Sequence, residues 1–309
     1  MQEPRAARPA SAGAATAPAG ELLDAGFVKE LEVLRRRLEI RARSGISGEH
    51  LAKRRGGSAE FQEHRAYAPG DDMRRIDWAA YARTGEPVLK LFRAEEDVIA
   101  RIVFDGSASL AHGEARSKLD VARRLAAAVG YMTLAESERA QLLVAGDGIT
   151  RESSPARGRG GLPALLRALN AVEARGNTDL AKAIDAVMRK SARPGMLVVI
   201  SDFFDAGPVT AALGRAAMAG HDVALLQVVA PDEIEPSLEG DYALEDAETG
   251  AVIEVTMDAA AIEAYVLRFA GLCEELRAWA RRHRGVYVRV RTDEALESAV
   301  RRFVARSID

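Results

Sequence analysis

The chain has 309 residues, of which 48% are apolar and 29% charged, which describes a folded, water-facing protein with a sizeable core. Lys and Arg number 43 against 46 Asp and Glu, a net charge of −3, and this excludes a broad electrostatic grip on nucleic acid or anionic membrane as the main activity. The one cysteine, Cys273, excludes an intrachain disulfide and a cysteine-rich zinc site.

Residues 1–20 are rich in alanine and carry Pro4, Pro9 and Pro18. They lack the basic-then-apolar layout of a signal peptide, and a disordered tail is predicted. No window reaches the roughly 18 consecutive apolar residues of a membrane helix. The most apolar stretch, 125–135, is too short and is interrupted by Gly130 and Thr133. A cytoplasmic location without direct membrane insertion is expected.

Within residues 21–47, Leu23, Phe27, Leu31, Leu34 and Leu38 recur at helical spacing and predict a helix that stops at Gly45 to Gly48. Residues 48–97 have a different texture, rich in Gly and Arg, with a Pro69-Gly70 turn. An extended piece over 87–92 is expected to pair with a sheet edge. From 98 to 309 strands and helices alternate. Strands are predicted over 98–104, 139–145, 149–152, 196–201, 222–229 and 286–291. Helices are predicted over 117–135, 161–172, 179–191, 208–219, 259–283 and 293–304. A hairpin joins 242–245 to 252–255. Cys273 falls in the long helix as a packed thiol. This alternation predicts an α/β fold: a doubly wound, mostly parallel sheet covered on both faces, preceded by a helix and an irregular Arg-rich segment.

In such sheets ligands bind outside the carboxyl ends of the strands. The first strand ends Asp105-Gly106-Ser107-Ala108-Ser109, which puts a carboxylate and two hydroxyls at every second residue. The strand 196–201 is followed by Asp202, and Thr178 stands at a helix start. Two carboxylates and three hydroxyls form a hard oxygen set that suits Mg²⁺ or Mn²⁺ and leaves the cation unsaturated. An open position could then accept a carboxylate from another protein. Each residue taken alone also has a structural reading. Asp105 or Asp202 can cap a turn, and Asn177 or Thr178 can cap the helix that follows.

Asp105-x-Ser107-x-Ser109 with the later Thr178 and Asp202 resembles the metal-ion-dependent adhesion site of von Willebrand factor A domains. The resemblance implies that Asp105, Ser107 and Ser109 hold the metal from the first loop. Thr178 and Asp202 complete the shell directly or through water.

A second resemblance lies in the lead segment. Glu60-Phe61, Arg65, Tyr67, Pro69-Gly70-Asp71-Asp72, Arg74, Ile76-Asp77-Trp78, Arg83, Lys90 and Phe92 stand in an order similar to the bacterial family known as domain of unknown function 58. The likeness extends to Arg291-Thr292-Asp293-Glu294. It implies a von Willebrand A-like domain and a MoxR-type AAA+ ATPase as partner, in chaperone-like assembly or maturation of an unknown client protein. Many members carry transmembrane helices before this segment, and none is predicted here. The interleaved Asp71, Asp72 and Asp77 with Arg65, Arg74, Arg75 and Arg83 read as an ion-pair network clamping the segment onto the α/β domain, with Trp78 as a packing anchor. A docking face for the ATPase is the alternative.

Three function classes follow. The leading one is a non-enzymatic, metal-dependent protein-interaction module. A Mg²⁺-dependent phosphatase or phosphotransferase is the alternative, but a second acid two residues after Asp105 is replaced by Ser107. There is also no Gly-rich P-loop and no G-x-S-x-G elbow. Nucleic-acid binding is the weakest. Residues 28–65 hold ten Lys and Arg against six Asp and Glu, which is short of a nucleic-acid footprint. His50 and His64 have no third ligand in view and read as loop residues.

Overall fold

The computed structural model describes residues 22–43, 60–68, 71–73, 76–93, 99–113, 116–135, 138–190, 193–204, 206–237 and 240–307. The tail 1–20, the helix stop at Gly45 to Gly48, His50 and Pro69-Gly70 with Arg74 and Arg75 lie outside these residues.

The strands that build the main sheet are β3 (Ile99–Asp105), β4 (Arg139–Gly146), β5 (Gly148–Glu152), β6 (Ala156–Arg157), β7 (Met196–Ser201), β8 (Asp222–Val229) and β11 (Val286–Arg291). The order across the sheet is β11-β8-β7-β3-β4-β5, with β6 also pairing with β4. The pairs from β11 to β4 are all parallel, and β5 and β6 run antiparallel to β4. The doubly wound, mostly parallel α/β fold is therefore present. The chain winds outward from β3 in one direction and from β7 in the other, so the switch of strand order falls between them.

Successive side chains of these strands face opposite layers, as the period of two demands. Ile102, Phe104, Val198, Ile200, Leu226 and Val228 enter one core, while Val103, Leu197, Val199, Val223 and Leu225 enter the other. The first core is closed by α3 (Lys118–Ala135), α4 (Leu162–Asn170), α9 (Leu296–Arg306) and also by α1 (Ala25–Arg43). The second is closed by α5 (Leu180–Lys190), α6 (Ala206–Met218) and α8 (Ala259–His283). Strands buried on both faces explain the unbroken apolar runs that mark them in the sequence.

The predicted N-terminal helix is α1. Phe27 and Leu31 are fully buried in the first core. Its polar flank is tied down by Tyr131 Oη donating to Glu32 at 2.6 Å and by Arg124 pairing with Asp24 at 3.3 Å.

The lead segment is more ordered than its sequence suggests. It contains β1 (Glu60–Ala66), α2 (Trp78–Thr84) and β2 (Val88–Arg93). The extended piece foreseen over 87–92 is β2, and it pairs antiparallel with β1 in a separate two-stranded sheet. The partner that the expected pairing with a sheet edge left unnamed is β1, whose Glu60–Ala66 lacks alternation. Of the expected ion-pair network, Arg65 pairs with Asp71 at 2.7 Å, while Arg74 and Arg75 lie outside the described residues. Asp77 instead caps α2, accepting from the backbone N–H of Ala79 and Ala80. Trp78 is 61% exposed and meets Tyr81 edge-on at 6.0 Å, so it does not anchor a core. A helix of seven residues with Trp78 in its first turn points that ring outward, while Ala80 takes the buried position.

The hairpin is β9 (Gly240–Glu245) with β10 (Val252–Met257). A short α7 (Pro231–Ile234) precedes it at the carboxyl end of β8.

Candidate metal-ion site at the sheet's carboxyl edge

Asp105 closes β3, and Ser201 closes β7 with Asp202 next to it. Because β3 and β7 are hydrogen-bonded neighbours at the switch of strand order, the two acids meet although they lie far apart in the chain. The loop after β3 turns at Gly106, whose N–H donates to Ala145 O at 3.1 Å. A Cβ there would stand 2.7 Å from that same oxygen, so only glycine allows this approach. The loop containing Thr178 is stitched to the same place. Ala108 N donates to Gly176 O at 2.9 Å, Arg175 N to Gly106 O at 2.8 Å, and Asp179 N to Gly146 O at 2.7 Å.

The side chains then form a continuous polar chain. Asp105 Oδ1 accepts from Ser107 N at 2.8 Å, and its Oδ2 accepts from Ser201 Oγ at 2.6 Å. Ser107 Oγ and Ser109 Oγ are 2.8 Å apart, and Ser109 Oγ donates to Asp202 Oδ2 at 2.8 Å. Asp105, Ser107 and Asp202 are buried, and Ser109 and Thr178 are half-buried. Four of the five predicted residues are thus brought into one network. Thr178 lies on the adjoining loop, where its hydroxyl faces Ala145 O at 3.5 Å and makes no bond to that network among the described residues. The helix cap that Thr178 or Asn177 was expected to offer is made by Asp179, whose Oδ1 accepts from Lys182 N at 2.8 Å.

Sequence reasoning missed Lys118, Glu233 and Ser201. Lys118 is 1% exposed and donates to Asp202 Oδ2 at 2.7 Å and to Glu233 Oε1 at 2.5 Å. Burial alone would push this ammonium down, but the charges of Asp202 and Glu233 outweigh it, and the lysine sits above its ordinary pKa. A signal was there to find. Lys118 opens α3, and a cation at a helix N-terminus opposes the helix dipole. Such a lysine needs carboxylates, and they come from the ends of β7 and β8. The other oxygen of Glu233 accepts from Ala230 N at 2.8 Å, which fixes α7 in place. Gln227, fully buried, donates to Asp202 O at 2.9 Å.

The cluster is short of positive charge. Burial and then the charge of Asp202 push the Asp105 carboxyl up, against the pull of the Ser201 hydroxyl and the Ser107 bonds. Glu248, half-buried in the turn of the hairpin, is raised to about 6 by burial and then by the charges of Asp105 and Asp202. Among the described residues no three His, Cys, Asp or Glu side chains converge to hold a metal by themselves, so hydroxyls must complete any cation shell here. Ligands of Mg²⁺ at about 2.0–2.1 Å in octahedral arrangement lie about 2.9 Å from their neighbours. The two 2.8 Å steps from Ser107 Oγ to Ser109 Oγ to Asp202 Oδ2 have that spacing. The donor set fits a small divalent cation.

The Arg291-Thr292-Asp293-Glu294 stretch lies where β11 ends, at the carboxyl edge of the same sheet. Arg291 pairs with Asp293 at 2.7 Å and Glu294 with Arg302 at 2.6 Å. Cys273 is buried, as expected. Among the described residues no helix is long and apolar enough to cross a membrane.

Comparison with known proteins places the chain in a family. The model of the family described as "Protein of unknown function DUF58" matches residues 63–271, and the chain belongs to that family. An uncharacterized protein of Mycobacterium tuberculosis and one of Mycobacterium bovis are each 34% identical over 292 residues, covering 93% of this chain and 91% of theirs. Among solved structures, a conserved hypothetical protein BatB from Bacteroides thetaiotaomicron is similar at 19% identity and a TM-score of 0.45, covering 68% of this chain and 98% of its own. A von Willebrand factor type A protein from Catenulispora acidiphila is similar at 16% identity and a TM-score of 0.43, covering 72% of this chain and 44% of its own.

Proposed function

We propose that this protein is a non-enzymatic, metal-dependent interaction module of the cytoplasm. It holds an acidic residue of another protein at the carboxyl edge of its sheet, and it works with a MoxR-type AAA+ ATPase in chaperone-like assembly or maturation of a client. The observation that carries the reading is the file of oxygens Ser107 Oγ, Ser109 Oγ and Asp202 Oδ2 at 2.8 Å steps, at the switch of strand order.

Ser107, Ser109 and Asp202 would hold Mg²⁺ or Mn²⁺, with Asp105 and Thr178 supporting the shell. When bound, the cation supplies a Lewis-acid position for a partner's carboxylate. The chain's own residues do the rest. Asp105 fixes the first loop through Ser107 N and ties it to β7 through Ser201. Lys118 orients Asp202 and offsets one charge, so the site keeps one face of weakly donating hydroxyls.

Two measurements test this reading. Mn²⁺ binding to the full chain should weaken at least a hundredfold on Asp105→Ala. Capture of the purified MoxR-type ATPase should be lost both in that variant and with EDTA. Capture that survives both treatments overturns the reading.

A further inference from the structure

The oxygen that ends the file at the sheet edge is engaged twice. Asp202 Oδ2 accepts from Ser109 Oγ at 2.8 Å and from Lys118 Nζ at 2.7 Å. A carboxylate oxygen offers about two lone-pair sites, so a cation that takes Oδ2 as a ligand must displace one of these donors. The two differ in their chemistry. The Ser109 hydroxyl turns its proton away and presents a lone pair, and so becomes a ligand itself. The Lys118 ammonium has three protons, no lone pair and a positive charge, and at that distance it repels a second cation.

Lys118 also has a second place to rest. Its Nζ lies 2.5 Å from Glu233 Oε1 and 5.1 Å from the centre of the Phe204 ring. Glu233 is held without help from the lysine. Its Oε2 accepts from Ala230 N at 2.8 Å, its carbonyl oxygen accepts from Tyr265 Oη at 2.9 Å, and its neighbour Asp232 meets His112 Nε2 at 2.7 Å. Giving up Asp202 therefore leaves the ammonium on a fixed carboxylate and beside an aromatic face, both of which stabilise a buried cation.

We propose that Lys118 is a tethered competitor for the cation site. It keeps Asp202 Oδ2 in place until a divalent cation displaces it, and then rests on Glu233 alone. The proposal rests on the adhesion-type reading of Asp105, Ser107, Ser109 and Asp202 and names the regulation of that site. The divalent-cation concentration at which the adhesion face assembles is set by the lysine as well as by the oxygen ligands. The coupling is reciprocal: whatever strengthens the bond of Lys118 to Asp202 weakens the cation by the same factor. Glu233 belongs to the device, because a lysine with no other carboxylate clings to Asp202.

The test reads the Mn²⁺ affinity of the full chain together with NMR of the Lys118 ammonium. Lys118→Met should bind Mn²⁺ at least tenfold tighter than the unaltered chain, whereas a lysine that merely supported the fold would leave binding weaker on removal. Glu233→Gln should bind Mn²⁺ at least fivefold more weakly, and that loss should fall below twofold when Lys118→Met is also present. In the unaltered, chelated chain the Lys118 Nζ should show scalar coupling across its hydrogen bonds to the carboxyl carbons of both Asp202 and Glu233. Saturating Mg²⁺ should abolish the first coupling and keep the second, and this measurement needs no variant to fold. In a chain that binds Mn²⁺, three results each overturn the exchange while leaving the adhesion site standing. They are equal or weaker binding by folded Lys118→Met, a Glu233→Gln loss undiminished without the lysine, and an Asp202 coupling that survives Mg²⁺. Mn²⁺ binding that is absent, or unaltered by Asp105→Ala, overturns the adhesion reading, and the exchange with it.

Discussion

At the carboxyl edge of the sheet, Asp202 bonds to Lys118 and Ser109, which lie 84 and 93 positions away in the chain. In the unit formed by β1, α2 and β2, Arg65 reaches Asp71 only six positions on, and Asp77 caps residues two and three positions on. The first region buries its charges and crosslinks strands that folding must first bring together. The second keeps the Arg65–Asp71 pair partly exposed and buries Asp77 against its own helix start, so that these bonds stay local, and it leaves Trp78 facing outward. The contrast predicts where substitution is costly. Removing a partner from a buried, long-range network strands a charge away from water, whereas removing one from a local, wet contact returns both groups to water.

The largest effect is expected from Lys118→Met. It leaves Asp202 and Glu233 facing each other at the edge, their side chains only 6% and 13% exposed. Breaking a buried pair in this way costs about 3–5 kcal/mol. Urea unfolding with the chelated protein should show that loss. Saturating Mg²⁺ should then recover part of it, because a ligand bound only by the folded state adds stability by mass action. A loss below about 1 kcal/mol would assign Lys118 to the wet class of surface pairs. Next comes Gly106→Ala, where the added Cβ meets Ala145 O at 2.7 Å. Overpacking against a backbone atom costs roughly 1–3 kcal/mol, and the same unfolding measurement reads it. It should also disturb the first loop, with a parallel loss of Mn²⁺ affinity.

The same contrast explains what was legible in the sequence. The α/β alternation is written in apolar runs such as Met196–Ser201 and Asp222–Val229, because strands buried on both faces carry little polar interruption. Asp105, Ser107, Ser109 and Asp202 were legible because their place at strand ends follows from the fold class. Lys118 was harder to read: its place at the start of α3 signals a need for carboxylates, but which ones, Asp202 after β7 and Glu233 in α7, depends on the tertiary fold. Strand β1 was illegible for the opposite reason: Glu60–Ala66 carries mostly polar side chains, and its strand character comes from pairing with β2. The outward ring of Trp78 was misread because an aromatic next to Asp and Ile looks like core, while a short helix capped by Asp77 fixes which face turns inward.

Two smaller predictions probe the lead unit. Asp77→Ala removes the cap of α2, and loss of an N-terminal cap costs about 1 kcal/mol. The backbone bond from Asp77 N to Val88 O, at 2.8 Å, survives the change, so β2 should hold its register while α2 frays. Hydrogen exchange of the α2 amides should rise with little change in β2. The smallest effect is expected from Trp78→Ala. A core tryptophan would cost about 3–5 kcal/mol on truncation, but at 61% exposure this one sits among surface substitutions, which stay within about 0.5 kcal/mol. Its contact with Tyr81 is a single edge-on pair at 6.0 Å, worth little when both rings are wet. Urea midpoints of the two proteins should therefore coincide. A shift of several kcal/mol would return Trp78 to the core and erase the difference between the two regions.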